Sequence, residues 1–345
     1  MSRSTWLLAR AIWVSFLIVF LVFFGLELVF RILDEAKSSL ANYSAGEIGL
    51  VAIFGMPRRL YLDLPLIVLI TVAAGLGSLA QSNELTVLRA AGLSIRQIFV
   101  KIILVLAPLL LGSIFVAEHG MPQAERFSQA LKEANTSGSV KNSVWTREAG
   151  RYLFIEGERD GSVRLWKQIE MVESRDEIKR LVVSRDVEFD GDQVGLLNAR
   201  ILSFEVDQIL QRTGNLQQDT NLSESQIRWL VQKPEALSLS DLWSASNYLE
   251  FEGLNGRAHS QLFWQRLLLP GTLIALGLLA SATAFGSMRS IGISTRIFLA
   301  VLVGLIFKYA MDMTSPAVFL VGAHPSLGVI LPLLIPLLLT IRLLR

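Results

Sequence analysis

Six stretches of this chain are apolar over the length of a bilayer-crossing helix, and they fall into two sets of three with a long polar segment between them. A hydrocarbon core of ~30 Å takes ~20 helical residues. The first set is Ala11–Phe30, Leu60–Ala80 and Ile98–Ala117, the last with Lys101 near its start; the second is Leu267–Phe285, Ile297–Val321 and Leu327–Leu344. A backbone inside hydrocarbon must pair its own polar groups, and continuous apolar runs of this length do so as helices. Hydrophobic residues make up 52% of the 345 and charged residues only 18%, more apolar surface than a water-soluble globule can hide. The predicted fold class is therefore an α-helical membrane protein with an inserted β domain. Transmembrane helices 1–3 occupy residues 1–119, an external domain with flanking helical segments occupies 120–261, and transmembrane helices 4–6 occupy 262–345. Pro332 and Pro336 should kink the last span or break its ladder. The first run is too long for a signal-peptide core and lacks a following cleavage site, so it reads as retained.

Basic residues in short loops set orientation. One side collects Arg3, Arg10, Arg89, Arg96, Lys101, Arg289, Arg296, Arg342 and Arg345 against the single acid Glu84. On the other side Arg31, Lys37, Arg58 and Arg59 are diluted by Asp34, Glu35, Glu47 and Asp63. The first side is read as cytoplasmic, with both termini, which places residues 120–261 outside; in a bacterium with two membranes that means the periplasm, with the spans in the inner membrane. Ala45–Met56 ends at Pro57 and is too short to cross, so an interfacial helix is expected there. Ala73, Ala74, Gly75 and Gly77 in span 2, and Gly271, Gly277, Ala280, Ser281 and Ala284 in span 4, predict close helix packing within the chain.

The polar segment carries 17 Lys/Arg and 22 Asp/Glu and is long enough for its own core. Ala124–Ala134 continues span 3 as helix, and then the period changes. Strand-like runs occur at Val144–Thr146, Tyr152–Ile155, Val163–Trp166, Ile169–Val172, Arg180–Val183, Val187–Phe189 and Ile201–Val206. Turn signals separate them at 148–150, 159–161, 190–192 and Thr213–Asn215. Short strands at this spacing predict a sandwich or jelly roll, with Phe154 and Phe204 taken as inward-facing. Helical spacing returns over Pro234–Phe251, capped by Ser238 or Ser240.

Several chemistries are absent. No G-x-x-x-x-G-K-[ST] occurs, so any ATP-driven role needs a partner. His119, His259 and His324 stand apart from one another and outside any H-E-x-x-H, cysteine is missing, and neither G-x-S-x-G nor S-x-x-K is present. The sequence therefore predicts no catalytic residue, metal or cofactor in this chain, and no nucleic-acid partner, since topology alone explains the arginines.

Charges inside apolar spans carry the information. Glu27 and Arg31 in span 1, and Lys308 and Asp312 in span 5, are each four residues apart, a spacing that lets them pair along one helix. The alternative is a cationic rim over a cavity, with Arg31, Lys37 and Lys308 receiving lipid phosphates. The loop Gln81–Arg96 predicts a short cytoplasmic helix at about 83–92. Asn83 or Ser82 caps it, Glu84 sits in its first turn, Leu85, Val87 and Leu88 give it an apolar side, Arg89 follows, and Gly92 ends it.

The stretch Leu79-Ala-Gln-Ser-Asn-Glu-Leu-Thr-Val-Leu-Arg-Ala-Ala-Gly92 resembles the L-A-x-x-x-E-L-x-x-x-x-x-x-G of the lipopolysaccharide-export ABC permeases, the LptF/LptG family, and the likeness extends over the whole chain. Phe285-Gly-Ser-Met-Arg-Ser290 and the span 5 segment ending at Asp312 are most similar to the LptG branch, where F-G-P-L-R-S is usual; Ser287-Met288 departs from Pro-Leu. The resemblance implies six spans (3 + 3) around a periplasmic β-jelly roll. It implies a heterodimer with an LptF-like subunit, an LptB-like ATPase dimer that holds ATP and Mg, an LptC-like membrane-anchored protein, and lipopolysaccharide as cargo. It further implies gates at spans 1 and 5, a lipid-phosphate contact at Arg31, and ATPase coupling through Glu84, Leu85, Leu88, Arg89 and Gly92. Lys308 has no counterpart and rests on the charge argument alone. A non-transporting periplasmic scaffold or receptor, or an ABC permease for another lipid or lipoprotein, are the alternatives.

Overall fold

The computed structural model describes residues 3–38, 44–135, 143–148, 151–157, 163–172, 177–190, 193–205, 208–220, 223–285 and 292–344. The turn signals at 149–150, 159–161 and 191–192, Val206, and Gly286–Ser290 of the LptG-like stretch lie outside the described residues. The chain divides into two compact units, Met1–Leu131 with Gln261–Arg345, and Lys132–Ser260.

The first unit is helical: α1 (Arg3–Ser38), α2 (Ala45–Gln81), α3 (Glu84–Ala90), α4 (Ile95–Phe115) running through a π turn at Val116–Gly120 into α5 (Met121–Asn135), and then α8 (Arg257–Phe285), α9 (Ile293–Val321) and α10 (Leu327–Leu344). Among the described residues five helices are long and apolar enough to cross a membrane, and α10 is a shorter apolar helix. α10 passes through Pro332 and Pro336 without interruption.

The expected interfacial helix does not exist as a separate element. α2 is one helix of 37 residues that contains Pro57 and Pro65. Ser44 and Glu47 close a capping box at its start, with Ser44 N–H donating to Glu47 Oε2 at 2.8 Å. A proline removes one ladder bond, but continued helix still pairs every other backbone group where water is scarce, and that outweighs the loss.

Burial ranks the helices. In the most apolar window of α2, 78% of residues are buried, against 6% in α1 and 17% in α9, so α2 is the axis of the bundle. Leu8 and Ile12 of α1, Val68 and Val72 of α2, Ile102 of α4 and Leu273 of α8 form its core. Leu17, Leu21 and Val22 point outward, each more than half exposed, as suits a lipid solvent. Close packing at the small residues is found at Gly75 and Gly277 but not at Gly271. A Cβ on Gly75 would stand 3.1 Å from the Ala11 carbonyl oxygen and 3.2 Å from Ile12 Cα, and one on Gly277 would stand 3.1 Å from Leu106 Cδ1.

The second unit is a curled antiparallel sheet of β1 (Ser143–Glu148), β2 (Arg151–Gly157), β3 (Val163–Val172), β4 (Glu177–Ser184), β5 (Asp186–Asp190), β6 (Gln193–Glu205) and β7 (Gln208–Asp219), followed by α6 (Glu224–Val231), a 3₁₀ turn at Pro234–Ala236 and α7 (Leu239–Phe251). The order is β1-β2-β3-β4-β6-β5 with β7 also on β6, so β4 and β5 share one edge of β6 and β7 takes the other. Two readings change. Val163–Trp166 and Ile169–Val172 are one strand, β3, because Lys167 and Gln168 fit its alternation. Thr213–Asn215 lies inside β7 rather than in a turn. The irregularity that Gly214 and Asn215 signal falls on the facing strand, where the register shifts between Leu196 and Ala199. There Asn198 adopts φ 50° and its N–H donates to Asn215 Oδ1 at 3.1 Å.

One face of the sheet buries Leu153, Ile155, Trp166, Val182, Val194 and Leu196 together with Ile227 and Val231 of α6. Phe154 and Phe204 belong to the other face, which corrects their expected inward placement. Phe154 packs on Trp145 at 5.0 Å between ring centroids, and Phe204 is 38% exposed. Ser238 caps α7 by accepting from Asp241 N–H at 3.1 Å.

The Gly75 contact is backbone against backbone and cannot be relieved by a rotamer change. Gly75→Leu should push α1 off α2 and cost about 1–3 kcal/mol, the usual range for overpacking. Gly271→Ala, with nothing within 4 Å of its Cβ, should be neutral or slightly stabilising. Thermal melting in detergent, read on both variants, checks the difference.

Candidate functional site

α2 brings Arg58, Arg59 and Asp63 into the helical unit, and Arg59 and Asp63 meet different helices. Arg59 donates to Glu27 Oε2 and Asp34 Oδ2 of α1, both at 3.0 Å. Asp63 faces α9 and accepts from Lys308 Nζ at 2.6 Å, its side chain 6% exposed against 44% for the lysine.

Neither expected pair within one helix forms among the described residues. Lys308 bonds to Asp63 and not to Asp312, because an exposed i, i+4 pair is worth only a few tenths of a kcal/mol. A buried carboxylate left without a cation would cost several-fold more. Glu27 is taken by Arg59, so Arg31 is left to lie across Gly55, where an added Cβ would stand 2.8 Å from Nη2 and 2.9 Å from Nε. Arg31 Nε is buried with no hydrogen-bond partner among the described residues. Lys37 is exposed in the last turn of α1.

Lys308 and Asp312 line a cavity of about 390 Å³ enclosed by α2, α8, α9 and the start of α5. Leu62, Leu66, Leu269, Phe307 and Met311 make its wall apolar, while Arg58, Gln265, Lys308 and Asp312 add polar groups. Two hydrogen bonds hold α8 in place around it: Tyr61 OH donates to the Arg266 carbonyl at 3.3 Å, and Gln265 Nε2 donates to Ser315 Oγ at 3.2 Å. An apolar chamber with cations on its wall suits an anionic amphiphile. Among the described residues no three His, Asp or Glu side chains converge as a metal site needs.

The sequence does not single out these three: Arg58 and Arg59 fall between the expected interfacial helix and span 2, and Asp63, near the start of span 2, counts among the charges of the outer side. A continuous apolar pattern across Pro57 is the available signal, since it places Arg58 and Arg59 on the same helix as Asp63.

The loop after α2 forms the expected short helix, α3. Leu85 is buried and Leu88 packs on the helical core, whereas Glu84 and Arg89 are exposed and five residues apart, so they do not face each other. Val87 turns out to be 64% exposed instead of joining the apolar side. Asn83 occupies the N-cap position with φ 60° and makes no side-chain cap; Ser82 closes α2. Gly92 ends the segment at φ +90°, its N–H donating to the Arg89 carbonyl at 3.0 Å. Asn83, Leu85, Thr86 and Arg89 line a cavity of about 180 Å³ with Ala284 and Phe285 of α8.

Comparison with known proteins agrees with this architecture. The family described as lipopolysaccharide export system permease LptF/LptG matches residues 6–345. The lipopolysaccharide export system permease protein LptG of Escherichia coli (strain K12) is 21% identical over 334 residues, covering 94% of this chain and 93% of that protein. The protein of the same name from Haemophilus influenzae is 22% identical over 320 residues, covering 90% and 89%. With its apolar helices, its inserted antiparallel sheet and this match along nearly its whole length, the chain belongs to the LptF/LptG family of lipopolysaccharide export permeases and is most like LptG.

Proposed function

We propose that this chain is one transmembrane subunit of an ABC exporter that lifts lipopolysaccharide out of the inner membrane and passes it to a periplasmic bridge toward the outer membrane. Both termini lie in the cytoplasm and residues 120–261 in the periplasm. An LptF-like subunit completes the permease, an LptB-like ATPase dimer with its own ATP and Mg docks at α3, and an LptC-like protein joins at the periplasmic side. The observation that carries this reading is the pairing, in one helical unit, of an apolar chamber walled by Lys308 and Arg58 with a short surface helix that offers Glu84, Val87 and Arg89 outward.

Each part has a stated task. Leu85 and Leu88 anchor α3 in the bundle, so force on its exposed side moves the helices rather than the loop. Arg31, Lys37 and Lys308 supply cations for headgroup phosphates, with charge-assisted hydrogen bonds about twice the strength of neutral ones.

Co-expression with the ATPase and partner subunit tests the reading directly. A stable complex whose ATP hydrolysis rises with lipopolysaccharide is expected; a chain that purifies alone with no lipid response would favour a scaffold. In that complex Val87→Asp should reduce ATPase co-purification, because it places a charge where an apolar side chain meets the partner. Glu84→Arg should lower export and uncouple hydrolysis from lipid. For the lipid-phosphate cations, Arg31→Ala with Lys308→Gln, made together with Asp63→Asn so that no buried carboxylate loses its cation, should leave assembly intact and reduce lipid-stimulated hydrolysis by about tenfold, equivalent to ~1.4 kcal/mol. Retained stimulation in the assembled triple variant would remove Arg31 and Lys308 from the site.

A further inference from the structure

We infer that Asp63 is a stand-in for the cargo's phosphate: its carboxylate holds the Lys308 ammonium until a phosphorylated lipid headgroup takes its place, and that exchange releases α9 from α2. The inference rests on the lipid-permease reading above and adds a substrate-operated latch to it.

Three observations converge on Asp63. Lys308 has a carboxylate one turn away on its own helix, Asp312, yet bonds across to α2 at 2.6 Å. Asp63 is the buried partner and Lys308 the half-exposed one on the cavity wall, so an anion entering the cavity reaches the ammonium without first moving Asp63. The third observation concerns the helix face. Gly304 and Lys308 stand one turn apart on α9, and Leu66 and Asp63 one turn apart on α2. The Leu66 side chain already fills the space a Gly304 Cβ would need. The ion pair and this close glycine contact are therefore adjacent rungs of one interface, and losing the first weakens the second.

Charge decides the exchange. A phosphate monoester carries about −1.5 to −2 at neutral pH and offers three acceptor oxygens, against a single negative charge on the carboxylate. Arg58 lies on the same cavity wall as a second cation, while Asp312 repels an anion, so the phosphate seat is on the Arg58 side of Lys308. The apolar wall at Leu62 and Met311 takes the adjoining acyl chain, which distinguishes a lipid phosphate from the free ion.

The chain has no cysteine, so a Leu66→Cys/Gly304→Cys pair reports α2–α9 contact on a silent background. In the full complex reconstituted in nanodiscs, the pair should cross-link readily, and lipopolysaccharide should reduce the yield by about threefold or more. Inorganic phosphate at the same concentration should leave it unchanged. Asp63→Asn should lower cross-linking without lipid and reduce the half-maximal lipopolysaccharide concentration for ATPase stimulation about three- to tenfold, the worth of a partly screened ion pair. The exchanged pair Asp63→Lys/Lys308→Asp should cross-link like the parent but not respond to lipid, which separates a latch from a merely structural tie. Cross-linking that ignores lipopolysaccharide in a parent complex that binds it would overturn the latch and leave the permease reading standing. Release by inorganic phosphate alone would also overturn it. A parent complex that fails to pull down lipopolysaccharide would overturn the permease reading itself, and the latch with it.

Discussion

Lipid is as apolar as leucine, so burying leucine does not tell one helix of this bundle where to sit against another. Close backbone approach and paired charge do, and both are concentrated on α2. Gly75 lets the backbone of α1 come within van der Waals reach, Arg59 ties α1 at Glu27 and Asp34, and Asp63 ties α9 at Lys308. α2 is also the helix most enclosed by the others. Its contacts with α1 and α9 differ in kind. The first combines glycine packing with a two-acid clamp, whereas the second depends on one ion pair beside a glycine contact, which makes α9 the more easily displaced neighbour.

The architecture was legible wherever a local rule set the outcome. Apolar runs located the spans, small residues located the close contacts, and Glu84 to Gly92 located α3. Failures came where a partner lay far along the chain. Lys308 was recognisable as a charge in need of compensation, but Asp312 was the only acid that spacing could offer it, and Asp63 lies 245 positions away. Pro57 compounds the difficulty, because reading it as a helix stop leaves Arg58 and Arg59 in a loop and lets Asp63, near the start of span 2, count with the loop charges, which ask for no explanation.

The sheet failed in a different way. Alternation states that Leu153 and Phe154 face opposite sides, and it does so correctly, but it cannot say which side is covered. That choice is made by Ile227 and Val231 on α6, an amphipathic helix too short to stand out in the sequence. Gly214 and Asn215 read as a turn because the residues that favour turns also accommodate bulges; here Asn215 serves the left-handed Asn198 on the neighbouring strand.

Continuity of α2 links the cavity to α3. The helix runs unbroken from Ala45 to Gln81, so about 18 residues, or roughly 27 Å at 1.5 Å per residue, separate Asp63 from the helix end. Only Ser82 and the left-handed Asn83 intervene before α3, whose Leu85 and Leu88 are fixed in the same core as α2. A swivel this short, with apolar anchors on both sides, cannot absorb a displacement of α2, so α3 must follow it. The reverse also holds, since a push on the exposed side of α3 is delivered to the helix that carries Asp63. Prolines 57 and 65 bracket Asp63, and the stretch beyond Pro65 has none. The compliance that proline confers is therefore concentrated around the Lys308 contact.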